Sequence, residues 1–454
     1  MNLPNYFIAD LPPEATVSPQ LVADACQTLN RNRERQLAGY TTPGVVRVLS
    51  ELGDNWLQPD YPFRQFALSR GPAETGFSSA TLAAGLDALF GQLTRENLNA
   101  LLVQDLGHVQ RLDEPCATPE EQRTGRQSLA TGPELIAHIT AGNLPSPAIQ
   151  SIVLGLLLRS AQFVKCARGA SFLPRLFAHS LYELDPRLAS CLEIAEWRGG
   201  EEALEAALFA EADCVTATGS DETLGAIRRR LPARTRFLGY GHRLSFAYVG
   251  KEFLVGFSAK KAAGRAAADI AAWNQLGCLS PHLIYVESGG SVAPELFAEL
   301  LAAELAKKEE TEPRGELPVE IAATISARRD FYEVRSAGGT DTRLWRSENS
   351  TAWTVVFEDD RLFQTSCLYR FVYVKAVQNL DEALHGADAV RAHVSTVALA
   401  ADETRMKEMA TRLARWGATR VCPLGRMQQP PLLWHHDGRP TLADFVTWTD
   451  WEVG

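Results

Sequence analysis

Four short stretches of the chain hold residue types that can do chemistry. The first is WNQLGCLSP, residues 273–281, in which Cys278 stands between a glycine and a Ser-Pro stop. Residues 258–273 (SAKKAAGRAAADIAAW) are rich in good helix formers, and Pro281 closes the segment because proline cannot continue a helix. Cys278 is therefore expected near a helix end or turn, where free backbone N–H groups lower a thiol's pKa and its sulfur is exposed. A thiolate there would be a nucleophile. The competing reading is a small buried hydrophobe, since the chain has eight cysteines and free cysteine commonly plays that part.

The second stretch, AGNLP at residues 141–145, follows a predicted strand, the place where ligands of open α/β sheets bind. Asn143 can aim its side-chain amide at a developing oxyanion there, or serve only as a turn residue. The third, FVKCAR at 163–168, puts Lys165 at the end of the next strand, within reach of a nucleotide's ribose or phosphate, or simply in solvent. The fourth, TGSDETLG at 218–225, follows a strand and opens a helix. Gly219 permits close backbone approach, and the helix N-terminus favours a pyrophosphate. The stretch lacks the GxGxxG pattern, so it is a weak signal alone.

The elements that must position these residues alternate from residue 134 onward. Strands are predicted at ELIAHITAG, AQFVKCA, LEIAEW, ADCVTATG and RTRFLGY, with helices between them. Ser146-Pro147 supplies an N-cap and a first-turn proline for the first of these helices. Repeated strand–helix–strand units with apolar strands indicate a parallel, Rossmann-like sheet covered on both faces. After Lys251 a second α/β unit follows, with the helix leading to Cys278, the strands PHLIYVES, WTVVFED, FVYVKAV, VSTVALA and TRVCPL, and helices among them. KKEETEPRGELP, at 307–318, reads as a solvated loop, and DFVTWTDWE as an edge strand or arm. Residues 1–130 read as helical and loop-rich, with Ser78 or Ser79 capping one helix and Thr94 another.

Bulk properties exclude several classes. The 454 residues suit two or three domains, and 46% hydrophobic with 22% charged residues describes a globular protein. A formal charge of −10 and a pI near 5.5 argue against nucleic acid or an anionic membrane as the main partner. The N-terminus, MNLPNYFIADLPPEATV, lacks the regions of a secretory signal, and no apolar run reaches membrane-spanning length. The cysteines form no CxxC pair and no metal-ligand spacing with histidines, so no metal is expected, and a reducing cytoplasm is the expected location. His435-His436-Asp437-Gly438 reads as a polar turn before Pro440.

In order and spacing, the four stretches together resemble the aldehyde dehydrogenase superfamily, and in detail its acyl-CoA reductase (LuxC) branch. AGNLPSPA, FVKCARGASF, TATGSDETLG, GYGHRLSFAYVG, WNQLGCLSPH and the tail WHHDGRPTLADFVTWTDWE carry the likeness, over roughly residues 70–454. The resemblance implies an α/β, aldehyde dehydrogenase-like fold. It would comprise N-terminal helices and a Rossmann-like NADP-binding domain over 1–250, with an arm near 110–132. A catalytic domain over 251–428 and a C-terminal oligomerisation arm over 429–454 would complete it. It makes Cys278 the nucleophile, facing a nicotinamide where two domains meet, and gives Asn143 and the Cys278 backbone N–H the oxyanion. Gly219, Ser220 and Gly225 become the pyrophosphate turn, and Lys165 a contact on the adenosine ribose side.

Two departures from the family pattern bear on the chemistry. Oxidising relatives carry a glutamate that activates water; here Gly239 of GYGHRL takes its place. General-base help is worth about 10²–10⁴-fold, so hydrolysis of an acyl-enzyme should be slow and thioester reduction favoured over aldehyde oxidation. His242 is a candidate substitute base or a structural hydrogen bonder. NAD-preferring relatives often place a glutamate three residues after the strand-end lysine; here it is Arg168, which with Lys165 could bind a 2′-phosphate and select NADPH. The resemblance thus implies NADPH-dependent reduction of a long-chain acyl-CoA, or another acyl thioester, to the aldehyde. A homo-oligomer (dimer or tetramer) is implied, with an acyl-transferring partner enzyme as a further candidate partner. An aldehyde dehydrogenase working oxidatively, a cysteine acyltransferase or thioesterase, and a non-catalytic scaffold subunit are the rival readings.

Overall fold

The computed structural model describes residues 3–12, 14–37 and 39–452. The chain divides into two compact units: Met1–Thr75, Leu86–Gly241 and Pro431–Gly454 form the first, and Gly76–Gly85 with His242–Pro430 the second. In the first unit a short strand β1 (Arg126–Thr131) stands outside the main sheet. The sheet itself contains β2 (Leu135–Ile139), β3 (Ala161–Cys166), β4 (Leu192–Glu196), β5 (Cys214–Thr218) and β6 (Arg236–Tyr240). All five run parallel in the order β4-β3-β2-β5-β6. From β2 the chain winds outward through β3 and β4, then returns to β5 on the other side. The winding therefore reverses between β2 and β5, the point at which open α/β sheets bind ligands beyond their strands' carboxyl ends.

Burial explains the apolar strands. Every residue of β2 and β3 is buried, because crossover helices cover both faces. Leu135, Ala137, Phe163 and Val215 pack with Leu208 and Phe209 of the helix Glu202–Glu211. The helix after β2, Ser146–Leu157, begins at its expected cap, so that Pro145 takes the cap position and Pro147 lies in its first turn. Ser78 accepts the amide of Thr81 and Thr94 that of Asn97, both as capping hydroxyls.

The second unit holds β7 (Leu244–Val249), β8 (Pro281–Glu287), β9 (Thr342–Arg346), β10 (Thr354–Glu358), β11 (Phe371–Val377), β12 (Val394–Ala400) and β13 (Arg420–Pro423). Their order is β13-β12-β7-β8-β11-β10-β9, parallel except that β9 runs antiparallel to β10 at the edge. The alanine-rich helix Gly256–Ala271 lays Ala259, Ala263, Ala266 and Ile270 on the sheet beside the helix Pro294–Thr311. Small side chains at three- and four-residue spacing let the helix approach closely. The helices Val319–Gly338 and Glu403–Trp416 cover the opposite face.

One strand went unread in the sequence, and one expectation needs correction. The strand β7, all six residues buried, lies inside the GYGHRLSFAYVG stretch and pairs in the second sheet between β12 and β8. The 307–318 segment is only partly loop. Its first residues complete the helix ending at Thr311, and Arg314 is buried, bonded to Thr351. The tail forms β14 (Thr447–Glu452), which pairs antiparallel with β1 as a separate two-stranded ribbon. Among the described residues no helix is long and apolar enough to cross a membrane.

Candidate active site

The helix Gly256–Ala271 leads into three consecutive left-handed residues, Trp273, Asn274 and Gln275, with φ of 50°, 52° and 66°. Such backbone costs about 1–3 kcal/mol per non-glycine residue and persists only where the surroundings over-determine it. Here they do. The Trp273 ring packs against Gly85 and stands edge-on to Phe77, 5.2 Å away. Asn274 donates to the Arg314 carbonyl at 2.8 Å and accepts from Arg370 at 3.2 Å. Gln275 donates to the carbonyls of Pro281 and Phe371 at 2.7 and 2.9 Å.

A second left-handed run, Leu368, Tyr369 and Arg370 (φ 62°, 54° and 66°), meets the first through the Asn274–Arg370 and Gln275–Phe371 bonds. Arg370 is wholly buried and paired with Glu309 at 2.8 Å. Two strained turns therefore brace each other directly upstream of Cys278.

Cys278 emerges from this frame exposed. Its neighbours Gly277 and Leu279 are buried, the Ser280 amide closes the turn on the Gly277 carbonyl at 2.9 Å, and the Ser245 hydroxyl donates to the Cys278 carbonyl at 2.8 Å. The other cysteines differ. Cys116 and Cys367 are partly covered, while Cys26, Cys166, Cys191, Cys214 and Cys422 are buried. Burial pushes the thiols of Cys26, Cys166 and Cys214 up to about 12 and those of Cys191 and Cys422 to about 11, leaving them inert neutral hydrophobes.

The remaining expected residues lie in the first unit, at the carboxyl ends of adjacent strands. Asn143 is exposed in the bend between β2 and its helix. Lys165, near the end of β3, is only 3% exposed, and its ammonium lies 6.0 Å from the Trp197 ring. Burial pushes its pKa down, against the pull of Glu205, Cys166 and Glu196. Arg168 is exposed at a turn completed by Gly169 (φ 78°). The Glu196 carboxylate accepts the amides of Gly169 and Ser171 at 2.7 and 3.2 Å, which fixes that turn.

After β5, Gly219 donates its amide to the Tyr240 carbonyl at 3.2 Å, and Ser220 caps the helix Asp221–Arg230 by accepting from Thr223 at 3.3 Å. Gly225 lies inside that helix, not in the turn. Asp221 and Glu222 occupy its first turn, so anion binding there would fall to backbone amides against two nearby carboxylates. A buried strand-end ammonium and a glycine–serine turn flanking the winding reversal fit a dinucleotide.

Gly239 ends in a crowded place. A Cβ there would come 2.9 Å from the Phe237 ring and 3.2 Å from Leu224, so a glutamate would not fit without movement. Arg439 donates to the Gly239 carbonyl at 3.1 Å, and Tyr240 is stacked by His436 (4.5 Å) and faced by the Arg439 guanidinium (4.6 Å). The His435–Gly438 stretch is thus a turn folded onto β6, and Asp437 within it has φ 53°. His242 is exposed, 6.2 Å from the His393 ring. Among the described residues no three His, Cys, Asp or Glu side chains converge as a metal site.

One neighbour of Cys278 escaped the sequence reading. His282, four residues on, accepts the Ser366 amide on Nδ1 at 3.1 Å, and burial pushes its pKa down to about 4, with His242 adding to the effect. The ring is therefore neutral, with its proton on Nε2. The histidine in WNQLGCLSPH was the visible signal, but its partners Ser366 and Phe363 come from a loop some 80 positions on.

Two α/β units, one with a doubly wound nucleotide-type sheet and one presenting a braced cysteine, define an aldehyde dehydrogenase-like oxidoreductase fold. Solved structures agree: a putative aldehyde dehydrogenase PutA from Anabaena variabilis matches with TM-score 0.69 at 16% identity, covering 97% of this chain and 94% of that one. An oxidoreductase from Marinobacter aquaeolei matches with TM-score 0.73 at 14% identity, over 98% and 94% of the two chains. Within that fold the chain belongs to the acyl-CoA reductase (LuxC) family, whose profile matches residues 37–448.

Among curated relatives, the long-chain acyl-protein thioester reductase of Aliivibrio fischeri is 24% identical over 392 residues, 84% of this chain and 76% of that protein. Long-chain acyl-protein thioester reductase 2 of Photobacterium leiognathi is 24% identical over 320 residues, 69% of this chain. That match spans 63% of the Photobacterium protein's length.

Proposed function

We propose that this chain reduces a long-chain acyl thioester to the aldehyde, with NADPH as reductant and Cys278 as the acyl carrier. The observation that carries the reading is the single exposed cysteine, held by a buried frame, in a chain of the acyl-CoA reductase family. The Cys278 thiolate attacks the thioester carbonyl carbon, and the Asn143 amide and the Cys278 backbone N–H hold the oxyanion. The donor's C–S bond breaks, and its thiolate leaves and takes up a proton. Bound NADPH supplies the hydride that reduces the acyl carbonyl. The bond between carbon and Cys278 Sγ then breaks, releasing the aldehyde and restoring the thiolate. Lys165 and Arg168 would grip the 2′-phosphate, with Gly219 and Ser220 at the pyrophosphate.

Gly239 offers no carboxylate to activate water, so the acyl-enzyme should wait for reductant instead of hydrolysing. The names of the relatives extend the donor from acyl-CoA to an acyl group carried on a partner protein, with the same transfer chemistry. The β1–β14 ribbon is the arm through which copies of the chain would associate.

The test is intact mass. Incubation with a long-chain acyl-CoA without NADPH should add one acyl group, which Cys278→Ala abolishes. After removal of excess acyl-CoA the adduct should persist in water for about 10²–10⁴ times longer than in an enzyme with a working base, and discharge on adding NADPH. Equal loss with and without NADPH would favour the thioesterase or oxidative dehydrogenase readings, and acylation of another cysteine would overturn the assignment.

A further inference from the structure

Residues 425–428, just after β13, are gripped from two sides by buried ionisable side chains. Asp269, on the helix that leads toward Cys278, is 2% exposed and accepts the amides of Gly425 at 2.6 Å and Met427 at 2.9 Å. Arg420, the first residue of β13 and 8% exposed, donates Nη1 to the Met427 carbonyl at 2.7 Å and Nη2 to the Arg426 carbonyl at 2.8 Å. The loop's amides go to the acid and its carbonyls to the base. Four hydrogen bonds thus fix one short segment, the two from Arg420 charge-assisted, while burial pushes the Asp269 carboxyl up to about 7.

That segment ends on Gln428, whose side chain lies against the cysteine turn. A Cβ on Gly277 would come 2.8 Å from the Gln428 amide, and Gln428 Nε2 donates to the Ser280 hydroxyl. Gln428 therefore touches the residue before Cys278 and the second residue after it. From another direction, Ser245 donates to the Cys278 carbonyl at 2.8 Å while accepting the Thr396 amide at 3.2 Å. Thr396 is the residue that pairs with Arg420 across β12 and β13. Both lines of contact to the turn lead back to Arg420.

We propose that Asp269 and Arg420 are positioning residues for Cys278, acting through Gln428. The proposal rests on the reading of Cys278 as nucleophile. It explains why two charged side chains are buried at a loop that carries no expected site residue: isolated buried charges are costly unless paired and hydrogen-bonded.

The full chain and its Arg420→Gln, Arg420→Lys and Gln428→Ala variants test it through four readings: iodoacetamide alkylation of Cys278, acylation by a long-chain acyl-CoA without NADPH, NADPH affinity and melting temperature. Arg420→Gln should slow both alkylation and acylation by about 10–100-fold while NADPH affinity holds within about twofold. Arg420→Lys, which keeps the charge but loses the two-carbonyl fork, should recover neither rate fully. Gln428→Ala removes no buried charge and carries the test alone should Arg420→Gln not fold. It should lower the acylation rate about 10-fold with little change in half-saturating acyl-CoA.

Wild-type rates of alkylation and acylation in Arg420→Gln and Gln428→Ala would overturn the proposal. So would losses that track NADPH affinity and melting temperature together. Failure of wild-type Cys278 to acylate at all would instead sink the nucleophile reading, and the alkylation series would still report whether Arg420 acts on the thiol.

Discussion

Gly277 and Leu279, on either side of Cys278, are buried, whereas Gly142 and Asn143 are exposed together, as are Arg168 and Gly169. The cysteine turn is bound by side chains from far along the chain: Asn274 to Arg370, Gln275 to Phe371, Ser245 to Cys278. The turns at the carboxyl edge of the first sheet are held mainly by near neighbours, as Ser220 is to Thr223, or by one carboxylate, as Gly169 and Ser171 are to Glu196. One region spends buried contacts on fixing a single sulfur. The other leaves Asn143 and Arg168 at the surface. Pre-organisation of that first kind is what covalent chemistry needs, because the nucleophile must meet its target carbon in one geometry. Changes on the nucleotide edge should therefore alter turnover or cofactor choice without disturbing the thiol, and changes around the cysteine should do the reverse.

Asn143→Ala gives the largest contrast. Losing one oxyanion donor typically lowers turnover by about 10²–10³-fold, while iodoacetamide alkylation of Cys278 and NADPH affinity should stay near wild type. Steady-state kinetics and a labelling time course check both halves. An active variant would reduce AGNLP to a turn, and slowed labelling would mean that the exposed edge and the braced turn are not independent.

Arg168→Glu should have the next largest effect. A charge-assisted contact contributes about 1.5–3 kcal/mol, so NADPH affinity should fall roughly 10–150-fold while NADH is spared or gains. The Glu196 carboxylate already holds the same turn through Gly169 and Ser171, so the added charge falls on a segment whose backbone is fixed. Equal losses for both cofactors, measured by fluorescence titration, would place Arg168 away from the ribose phosphate.

How far the sequence announced this contrast depends on where the ties lie. The first sheet was legible because each strand is a short apolar run ended by a turn, and β3 follows AQFVKC as read. Cys278 stood out through its glycine, its proline and the helix before it. β7 was absorbed into the GYGHRLSFAYVG motif and not separated as a strand, and β9 was hidden because its edge position leaves it polar and arginine-rich. The 307–318 segment misled because charge usually marks solvent, yet Glu309 and Glu312 face the buried Arg370 and Arg314 is covered. Gly225 was assigned to a turn from motif spacing, although the serine cap starts the helix four residues earlier. Asp269, Arg420 and Gln428 carry no local pattern at all. Only the fold brings Asp269 and Gln428 beside residues 158 and 148 positions distant.

The last contrast distinguishes the two regions by one proton each. His138 lies in β2, before the Asn143 bend, and His282 in β8, after the cysteine turn. His138 Nε2 faces Gln162 Oε1 at 3.0 Å, and Gln162 Nε2 itself donates to Ile152, so the ring proton sits on Nε2 and Nδ1 accepts the Thr216 hydroxyl at 2.7 Å. His282 uses Nδ1 to accept the Ser366 amide, so it is the same tautomer. A second proton on either ring would displace an existing hydrogen bond. Burial pushes both pKa values from 6.5 down to about 4, with Gln162 opposing the shift at His138 and His242 adding to it at His282.

A depressed folded-state pKa means that stability is present above the unfolded value near 6.5 and is lost as pH falls through about 4. For His138 the loss amounts to about 3 kcal/mol once both states are protonated, and it should be smaller for His282, whose ring is partly accessible. Urea unfolding of wild type, His138→Gln and His282→Gln at pH 7.5 and 4.5 reads this directly. Both variants should be weaker than wild type at pH 7.5 and lose less on acidification, His138→Gln by the larger margin. Parallel losses in all three proteins would mean that neither ring is held neutral. A larger margin for His282→Gln would place the tighter constraint beside the cysteine, strengthening the contrast between the braced turn and the open edge.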